Sequence, residues 1–203
     1  MTSKIQEEIS TDSKCFILDD LDVFYIRDLR NIVLSYDPDS MINAFLSSPT
    51  EKILVNAIKA GDLCVIKEYS YAFQRSKYCD EKILKWFKDM MNLAAENGHL
   101  EVVKWLSENR KEGCTTDAMD RAARNGYFEV VKWLSKNRKE GCTSNAIDWA
   151  AEKGHLEVVK WLSENRKEGC SQQAMDWAVG DGHLEIVKWL SELRNPKENR
   201  KEG

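Results

Sequence analysis

Residues 98–114 read Gly98-His99-Leu100-Glu101-Val102-Val103-Lys104-Trp105-Leu106-Ser107-Glu108-Asn109-Arg110-Lys111-Glu112-Gly113-Cys114, and this stretch returns almost unchanged twice more, 28 residues later each time. The same period recurs in four tryptophans and four glycines: Trp105, Trp133, Trp161, Trp189, Gly98, Gly126, Gly154 and Gly182. A fixed period in this range indicates a solenoid, in which one supersecondary unit stacks on copies of itself. Because stacked repeats form a long surface rather than a deep cleft, the pattern favours a binding protein over an enzyme.

Composition agrees with a water-soluble folded array. Of the 203 residues, 42% are hydrophobic and 32% are charged, which is ordinary for a globular chain. Residues 1–13 are polar, so we predict a disordered tail and no secretory signal. No run of about 18 apolar residues predicts a membrane span. Residues 51–203 carry 25 acidic and 26 basic side chains, and this near-neutral balance gives no reason to expect nucleic-acid binding.

Three of the six cysteines, Cys114, Cys142 and Cys170, share one place in the repeat. Neighbouring helices stack roughly 8–10 Å apart, whereas a disulfide needs Cα atoms within about 4.4–6.8 Å. We therefore expect free thiols that act as small apolar residues. This usage, without any C-x-x-C pair, predicts a reducing intracellular compartment, the cytoplasm or the nucleus, and a protein that is not secreted.

Each repeat is predicted to contain two helices, here called helix one and helix two. The residues after the periodic cysteines, Thr115, Thr143 and Ser171, are good N-caps for helix one. Met119, Ala122 and Ala123 then share one face. Gly126 and its equivalents are placed to end helix one in the left-handed conformation.

Helix two begins near His99, Tyr127, His155 or His183. In the first of these copies, Leu100, Val102, Val103 and Leu106 cover an arc of about 160°. Trp105 widens this stripe, so we predict that the four periodic tryptophans belong to the core. The histidines are interpreted as a repeated polar contact at the start of helix two.

The stretch from Ala122 to Leu134, Ala-Ala-Arg-Asn-Gly-Tyr-Phe-Glu-Val-Val-Lys-Trp-Leu, resembles the signature of the ankyrin repeat. The resemblance implies an all-α, ankyrin-like helical-repeat solenoid. Two features depart from the family: Asp117-Ala118-Met119-Asp120 replaces the usual Thr-Pro-Leu-His start, and the period is about five residues shorter. The projecting β-hairpin fingers should therefore be reduced. The short repeat is similar to arrays of large amoeba-infecting DNA viruses and of some microbial eukaryotes.

The repeat pattern divides the chain into regions. We predict four repeats of 28 residues over 88–203, and a degenerate repeat with a long connection over 48–87. Residues 14–47 stand apart and are predicted to form a small helical N-terminal cap. Their helix–turn–helix pattern, with Leu34-Ser35-Tyr36-Asp37-Pro38, also resembles an F-box faintly, which leaves a second interpretation open.

No residue pattern in the chain predicts chemistry. His99, His155 and His183 occupy one repeat position, and repeats stacked roughly 8–10 Å apart would hold the rings too far from a shared ion, which needs nitrogens at about 2.0–2.1 Å. No phosphate-binding loop, nucleophile elbow or zinc-protease motif occurs. We therefore predict no catalytic residue, no metal and no cofactor.

The repeats differ most on the outer face of helix one. In the ankyrin family this helix lines the binding face, so the resemblance implies a non-enzymatic scaffold that contacts a protein partner there. The predicted contacts are Asp120, Arg121, Arg124, Asp148, Trp149, Glu152, Asp176 and Trp177. We expect a monomer with no small-molecule substrate. The alternative is a substrate receptor of a ubiquitin ligase, with the F-box-like region contacting the ligase.

Overall fold

A computed structural model describes residues 48–67, 70 and 81–194. The chain divides into two compact units, residues 1–83 and 84–203. In the described part there are helices and no β-strand. The helices with defined bounds are α1 (Ser48–Ala60), α2 (Glu81–Glu96), α3 (Leu100–Asn109), α4 (Asp117–Arg124), α5 (Phe128–Asn137), α6 (Asn145–Glu152), α7 (Leu156–Asn165), α8 (Gln172–Gly180) and α9 (Leu184–Arg194). The predicted tail and N-terminal cap, with its F-box-like pattern, lie outside the described residues.

In the first unit, α1 buries Leu54, Ala57 and Ile58, which share one helical face at spacings of three and four residues. Gly61 follows α1 at φ 73°. Residues 63–67 are helical again. The carboxylate of Asp62 accepts hydrogen bonds from the backbone N–H groups of Cys64 and Val65, at 3.1 and 3.2 Å, and so caps this second helical stretch.

In the second unit, helix pairs follow the 28-residue period: α2 with α3, α4 with α5, α6 with α7, and α8 with α9. Of the predicted caps of helix one, Ser171 is the N-cap of α8, whereas α4 and α6 have their N-caps one residue later than predicted, at Thr116 and Ser144. The hydroxyl of Thr115 accepts from the N–H of Asp117 at 3.2 Å, and Thr143 and Ser171 make the equivalent bonds at 3.1 Å. These bonds satisfy donors that the first helical turn leaves without intrahelical partners.

The glycine after each helix one has the predicted left-handed backbone. Gly126 has φ 76°, and its equivalents Gly98, Gly154 and Gly182 have φ 78°, 82° and 79°. The N–H of Gly126 donates to the carbonyl of Ala123 at 3.1 Å, and the next N–H, of Tyr127, donates to Ala122 at 2.9 Å. These bonds satisfy the last carbonyls of α4 while the chain reverses into α5.

The core lies between stacked helices. Helix α6 packs against α4 on one side, against α8 on the other, and against its own partner α7. Ala150 and Ala151 of α6 are fully buried. Their small side chains allow the neighbouring helices to approach α6 closely from several directions. Helix two contributes Val158, Val159 and Leu162 to the same core.

The periodic tryptophans are half-buried and lie at the edge of this core, so the prediction that they belong to it was wrong. The rings of Trp161 and Trp189 lie against helix two of the preceding repeat. Trp161 meets Phe128 edge to face, with ring centroids 6.3 Å apart. The indole N–H of Trp189 donates to the hydroxyl of Ser163 at 3.3 Å. The sequence pattern did not separate these tryptophans from the core residues, because they lie at the margin of the broad apolar arc of helix two. A side chain at that margin can contact a neighbouring repeat without entering the core.

The connections between repeats contain a paired arginine and glutamate two residues apart. The guanidinium of Arg138 contacts the carboxylate of Glu140 at 2.5 Å, and Arg110 contacts Glu112 at 2.6 Å. The Arg138–Glu140 pair lies over Gly113 of the preceding connection, where a side chain would collide with it. Glu140 also accepts from the N–H of Cys114 at 3.4 Å. The connection thus joins adjacent repeats without a β-hairpin finger.

Candidate functional site

The candidate site is the outer surface of the helix-one segments, called here the helix-one face. It consists of Leu93 and Glu96 of α2, Arg121 and Arg124 of α4, Trp149 and Glu152 of α6, and Asp176 and Trp177 of α8. Arg121, Arg124 and Asp176 are exposed, and the other five are half-buried. Because one residue type is replaced by another from repeat to repeat, this surface changes along the array while the core does not.

Arg121 is held in an ion-pair network at the α2–α4 end of this face. Its guanidinium lies 2.8 Å from the carboxylate of Glu96 and 3.8 Å from that of Asp117. The Arg121 side chain remains 44% exposed, so water screens these pairs and they contribute only about 0–1 kcal/mol to stability. Their effect is to fix the position of the guanidinium and to occupy its donors.

Arg124 lies one turn further along α4 and has a different environment. Its guanidinium carbon is 5.6 Å from the centroid of the Trp149 ring in the next repeat, which is within the range of a cation–π contact. Glu152, at the position equivalent to Arg124, pairs with Lys153 at 2.8 Å. The arginine and the tryptophan thus form one mixed polar and aromatic patch across a repeat junction.

Trp177 occupies the next repeat at the level of Trp149. One turn later, the position held by Arg124 in α4 is occupied by Gly180, and a Cβ built there would meet no atom of the described residues within 4 Å. Asp176 and Asp181 are exposed on either side of this gap. The α8 end of the helix-one face therefore combines a half-buried indole, open space and negative charge.

Two of the predicted contacts, Asp120 and Asp148, are each only 2% exposed. Asp120 accepts hydrogen bonds from Thr143 in the next repeat, from its N–H at 2.8 Å and from its hydroxyl at 2.7 Å. Asp148 accepts from the N–H of Ser171 at 2.8 Å. The short helix is enclosed by neighbours on both sides, so its buried arc is wider than Met119, Ala122 and Ala123 alone indicate. These two aspartates therefore do not enter the interface proposed below.

The same contact exists at the preceding junction, where Asn92 replaces aspartate. Its carbonyl oxygen accepts from the N–H of Thr115, and its amide donates to the Thr115 hydroxyl, both at 3.0 Å. Sequence reasoning missed this set of contacts. The signal was present, because a carboxylate or amide at 92, 120 and 148 stands 23 residues before a hydroxyl residue each time. Burial raises the pKa of Asp120, while the hydrogen bonds from Thr143 oppose that rise.

The rings at the start of helix two lie on the glycines of the preceding repeat. A Cβ added to Gly126 would lie 2.5 Å from Nδ1 of His155, and one added to Gly98 would lie 2.5 Å from the Tyr127 ring. Nε2 of His183 lies 3.0 Å from the carbonyl oxygen of Glu152. His183 thus makes a polar contact between repeats. No group of side chains suited to a metal ion occurs within residues 48–67, 70 and 81–194.

Cys114, Cys142 and Cys170 are free thiols in the structure, as predicted. Cys114 and Cys142 are buried at the repeat junctions. Burial, together with the nearby Glu140, raises the pKa of Cys114 to about 11, and burial also raises that of Cys142 to about 11. Thiols with so high a pKa are poor nucleophiles at neutral pH, so their role in the junction is packing.

Comparison with known protein families accounts for this architecture. Residues 119–201 match a family model described as ankyrin repeats in three copies, and residues 93–134 match one described as ankyrin repeats in many copies. The helices over residues 93–194 therefore belong to an array of ankyrin repeats. Ankyrin repeats generally mediate protein–protein interaction. A search of the curated proteins finds no match to this chain. Among the described residues, no helix of the ankyrin array or of the first unit is long and apolar enough to cross a membrane.

Proposed function

We propose that the ankyrin array binds a partner protein through the helix-one face, with Trp149 and Trp177 as its main anchors. The observation that supports this most is their half-burial on a face whose other variable residues, apart from Leu93, are charged. Tryptophan and arginine are the side chains that most often dominate binding energy at protein interfaces. Here both tryptophans stand on consecutive helix-one segments, with Arg124 against one of them.

The proposed interface also contains Arg121, Glu152 and Asp176. Arg121 is already paired with Glu96, and Glu152 is paired with Lys153. Charges of this kind at the edge of an interface influence orientation and association rate more than affinity. The indole rings supply apolar area that water leaves when a partner binds. The interface is thus an aromatic centre with a charged margin, and it requires no chemical step.

The experiment is a selection of 16-residue random peptides displayed on phage, carried out against immobilised protein. We expect enriched peptides to lose binding to the double variant Trp149→Ala, Trp177→Ala, with each tryptophan contributing about 2 kcal/mol or more. The matched control is Leu184→Ala with Leu193→Ala, which removes apolar side chains that are 74% and 46% exposed on α9. Circular dichroism and thermal melting check that both variants remain folded.

Two results would contradict the proposal. If enriched peptides bind the tryptophan variant and the wild type equally, the interface lies elsewhere on the array. If the tryptophan variant unfolds while the leucine variant does not, the indoles are packing residues rather than binding anchors.

A further inference from the structure

Arg124 differs from every residue at its position in the other repeats. The equivalent residues are Glu96, Glu152 and Gly180. Within the described helices, the guanidinium of Arg124 contacts no carboxylate, and its contact is the Trp149 ring. The two nearest equivalent carboxylates are engaged elsewhere, since Glu96 contacts Arg121 and Glu152 contacts Lys153. The helix-one face therefore presents one exposed cation that is ordered but not neutralised by these groups.

The contact with tryptophan prepares this cation to bind an anion. An arginine against an aromatic ring keeps its planar set of N–H donors, because the ring contact uses the charge and the flat surface rather than the donors. Such a guanidinium can form two parallel hydrogen bonds with one carboxylate. Arg121 has lost this capacity in part, because its donors already contact Glu96 and Asp117.

The α8 end of the helix-one face carries negative rather than positive charge and has room for an apolar side chain. Gly180 leaves open space one turn from Trp177, which admits an apolar side chain against the indole. Asp176 and Asp181 are exposed here, so a second acidic group of a partner would be repelled. Charge therefore favours one orientation, with the acidic part of a partner at α4 and its apolar part at α8.

The distance between Arg124 and Trp177 limits the length of a partner segment that contacts both residues. Arg124 and Trp177 belong to helices two repeats apart, which corresponds to roughly 16–20 Å at the usual helix separation. An extended chain advances about 3.3 Å per residue, so five or six residues span this distance.

Building on the proposed binding face, we propose that the partner is a protein presenting a short extended segment, with an aspartate or glutamate bound to Arg124. An aromatic or aliphatic residue five or six positions away then packs on Trp177 beside Gly180. Arg124 sets both the charge preference and the direction of the segment, and Trp149 holds its guanidinium in place.

The test uses the same displayed library, with each round depleted on the Trp149→Ala, Trp177→Ala variant so that only peptides requiring the two indoles remain. We expect these peptides to share an acidic residue and, five or six positions away, an apolar one. A synthetic peptide of the enriched sequence should bind Arg124→Gln about tenfold or more weakly than wild type, a loss of about 1.4 kcal/mol. Lys132→Gln, the matched control, removes a cation that lies over the Phe128 ring on α5, outside the helix-one face, and should change affinity by less than about threefold.

The conservative variant separates charge from geometry. Arg124→Lys keeps the positive charge but loses the paired donors, so its affinity should fall between those of wild type and Arg124→Gln. A peptide with its acidic residue replaced by the amide should bind wild type and Arg124→Gln alike.

The outcomes distinguish this inference from the function on which it rests. Indole-dependent peptides without an acidic residue, or with affinity unchanged in Arg124→Gln, would overturn the acidic segment and leave the binding face in place. A library that yields no indole-dependent peptide would reject the face and this inference together.

Discussion

The carboxylate of Asp120 accepts two hydrogen bonds from Thr143, one from its N–H at 2.8 Å and one from its hydroxyl at 2.7 Å. The two residues lie 23 positions apart and belong to adjacent repeats. The same Thr143 hydroxyl accepts from the N–H of Asn145. One hydroxyl thus caps its own helix and joins it to the repeat before, so local helix initiation and repeat stacking depend on the same side chain.

We predict that Asp120→Ala lowers the free energy of unfolding by about 1–3 kcal/mol, because the N–H and hydroxyl of the half-buried Thr143 lose their acceptor. Asp120→Asn should be tolerated far better, since Asn92 makes the equivalent pair of bonds at the preceding junction. Urea titration measures both. The matched control is Asp176→Ala, which is exposed and should shift stability by no more than about 0.5 kcal/mol. Equal losses at 120 and 176 would contradict the role of the junction.

Gly126 and Gly182 form a second matched pair. Both have positive φ, 76° and 79°, so alanine strains either backbone by about 1–2 kcal/mol. A Cβ at Gly126 would also lie 2.5 Å from the His155 ring, whereas one at Gly182 would meet nothing within 4 Å. Gly126→Ala should therefore lower the melting temperature clearly more than Gly182→Ala. Thermal unfolding followed by circular dichroism tests this, and a larger loss at Gly182 would reject the contact between His155 and Gly126.

Glu140 should make stability depend on pH in the acid range. Burial works to raise the pKa of Glu140, but hydrogen bonds from Arg138 and from two backbone N–H groups outweigh it and lower the pKa from 4.5 to about 2. A depressed pKa means that the folded state binds protons less readily than the unfolded state. The contribution of Glu140 is then complete above about pH 4.5 and is lost as the pH falls towards 2.

The measurement is urea unfolding of wild type and Glu140→Gln at several pH values from 7 to 2. The stability difference between the two should be largest at neutral pH and should shrink through this acid window. Glu129→Gln is the control, because Glu129 is a surface residue paired with Lys132 at 3.1 Å and such pairs contribute little. A difference that stays constant with pH would show that the Glu140 carboxylate is not held by Arg138.

The tryptophan positions provide a test of where the core lies. Leu162 is fully buried, so Leu162→Ala should cost about 2–5 kcal/mol. Trp161 is half-buried, and its replacement by alanine should cost less than the roughly 3–5 kcal/mol of a buried tryptophan. Denaturant titration of the two variants decides the order. A greater loss of stability in Trp161→Ala than in Leu162→Ala would show that Trp161 belongs to the core.

Features that depend on one repeat alone could be predicted from sequence. The hydroxyl bonds of Thr115, Thr143 and Ser171 at the start of helix one and the left-handed glycines follow from local backbone chemistry, although the caps of α4 and α6 lie one residue later than predicted. The burial of Asp120 could not be obtained from a single helical face, because it depends on which surface of α4 the following repeat covers. The prediction for the tryptophans was wrong for the same reason, since Trp161 and Trp189 contact the preceding repeat.

The role of the helix-one face in binding a partner remains a prediction. Sequence variation between repeats pointed to position 121 and its equivalents, and the structure leaves Arg121 exposed and Trp149 half-buried. The pairing of Arg124 with Trp149 was not visible in the pattern, because it joins neighbouring repeats at different helical levels.

The bond between residues 120 and 143 has a consequence for how such a chain can change length. Its donor and acceptor lie on opposite sides of each junction between α2, α4, α6 and α8, and they recur in step with the 28-residue unit. A duplication or deletion of one whole 28-residue unit would therefore leave each new junction between repeats with a matched hydrogen-bond acceptor and donor. Array length can vary through copying errors without a new packing solution, while substitutions at the exposed helix-one positions alter recognition independently.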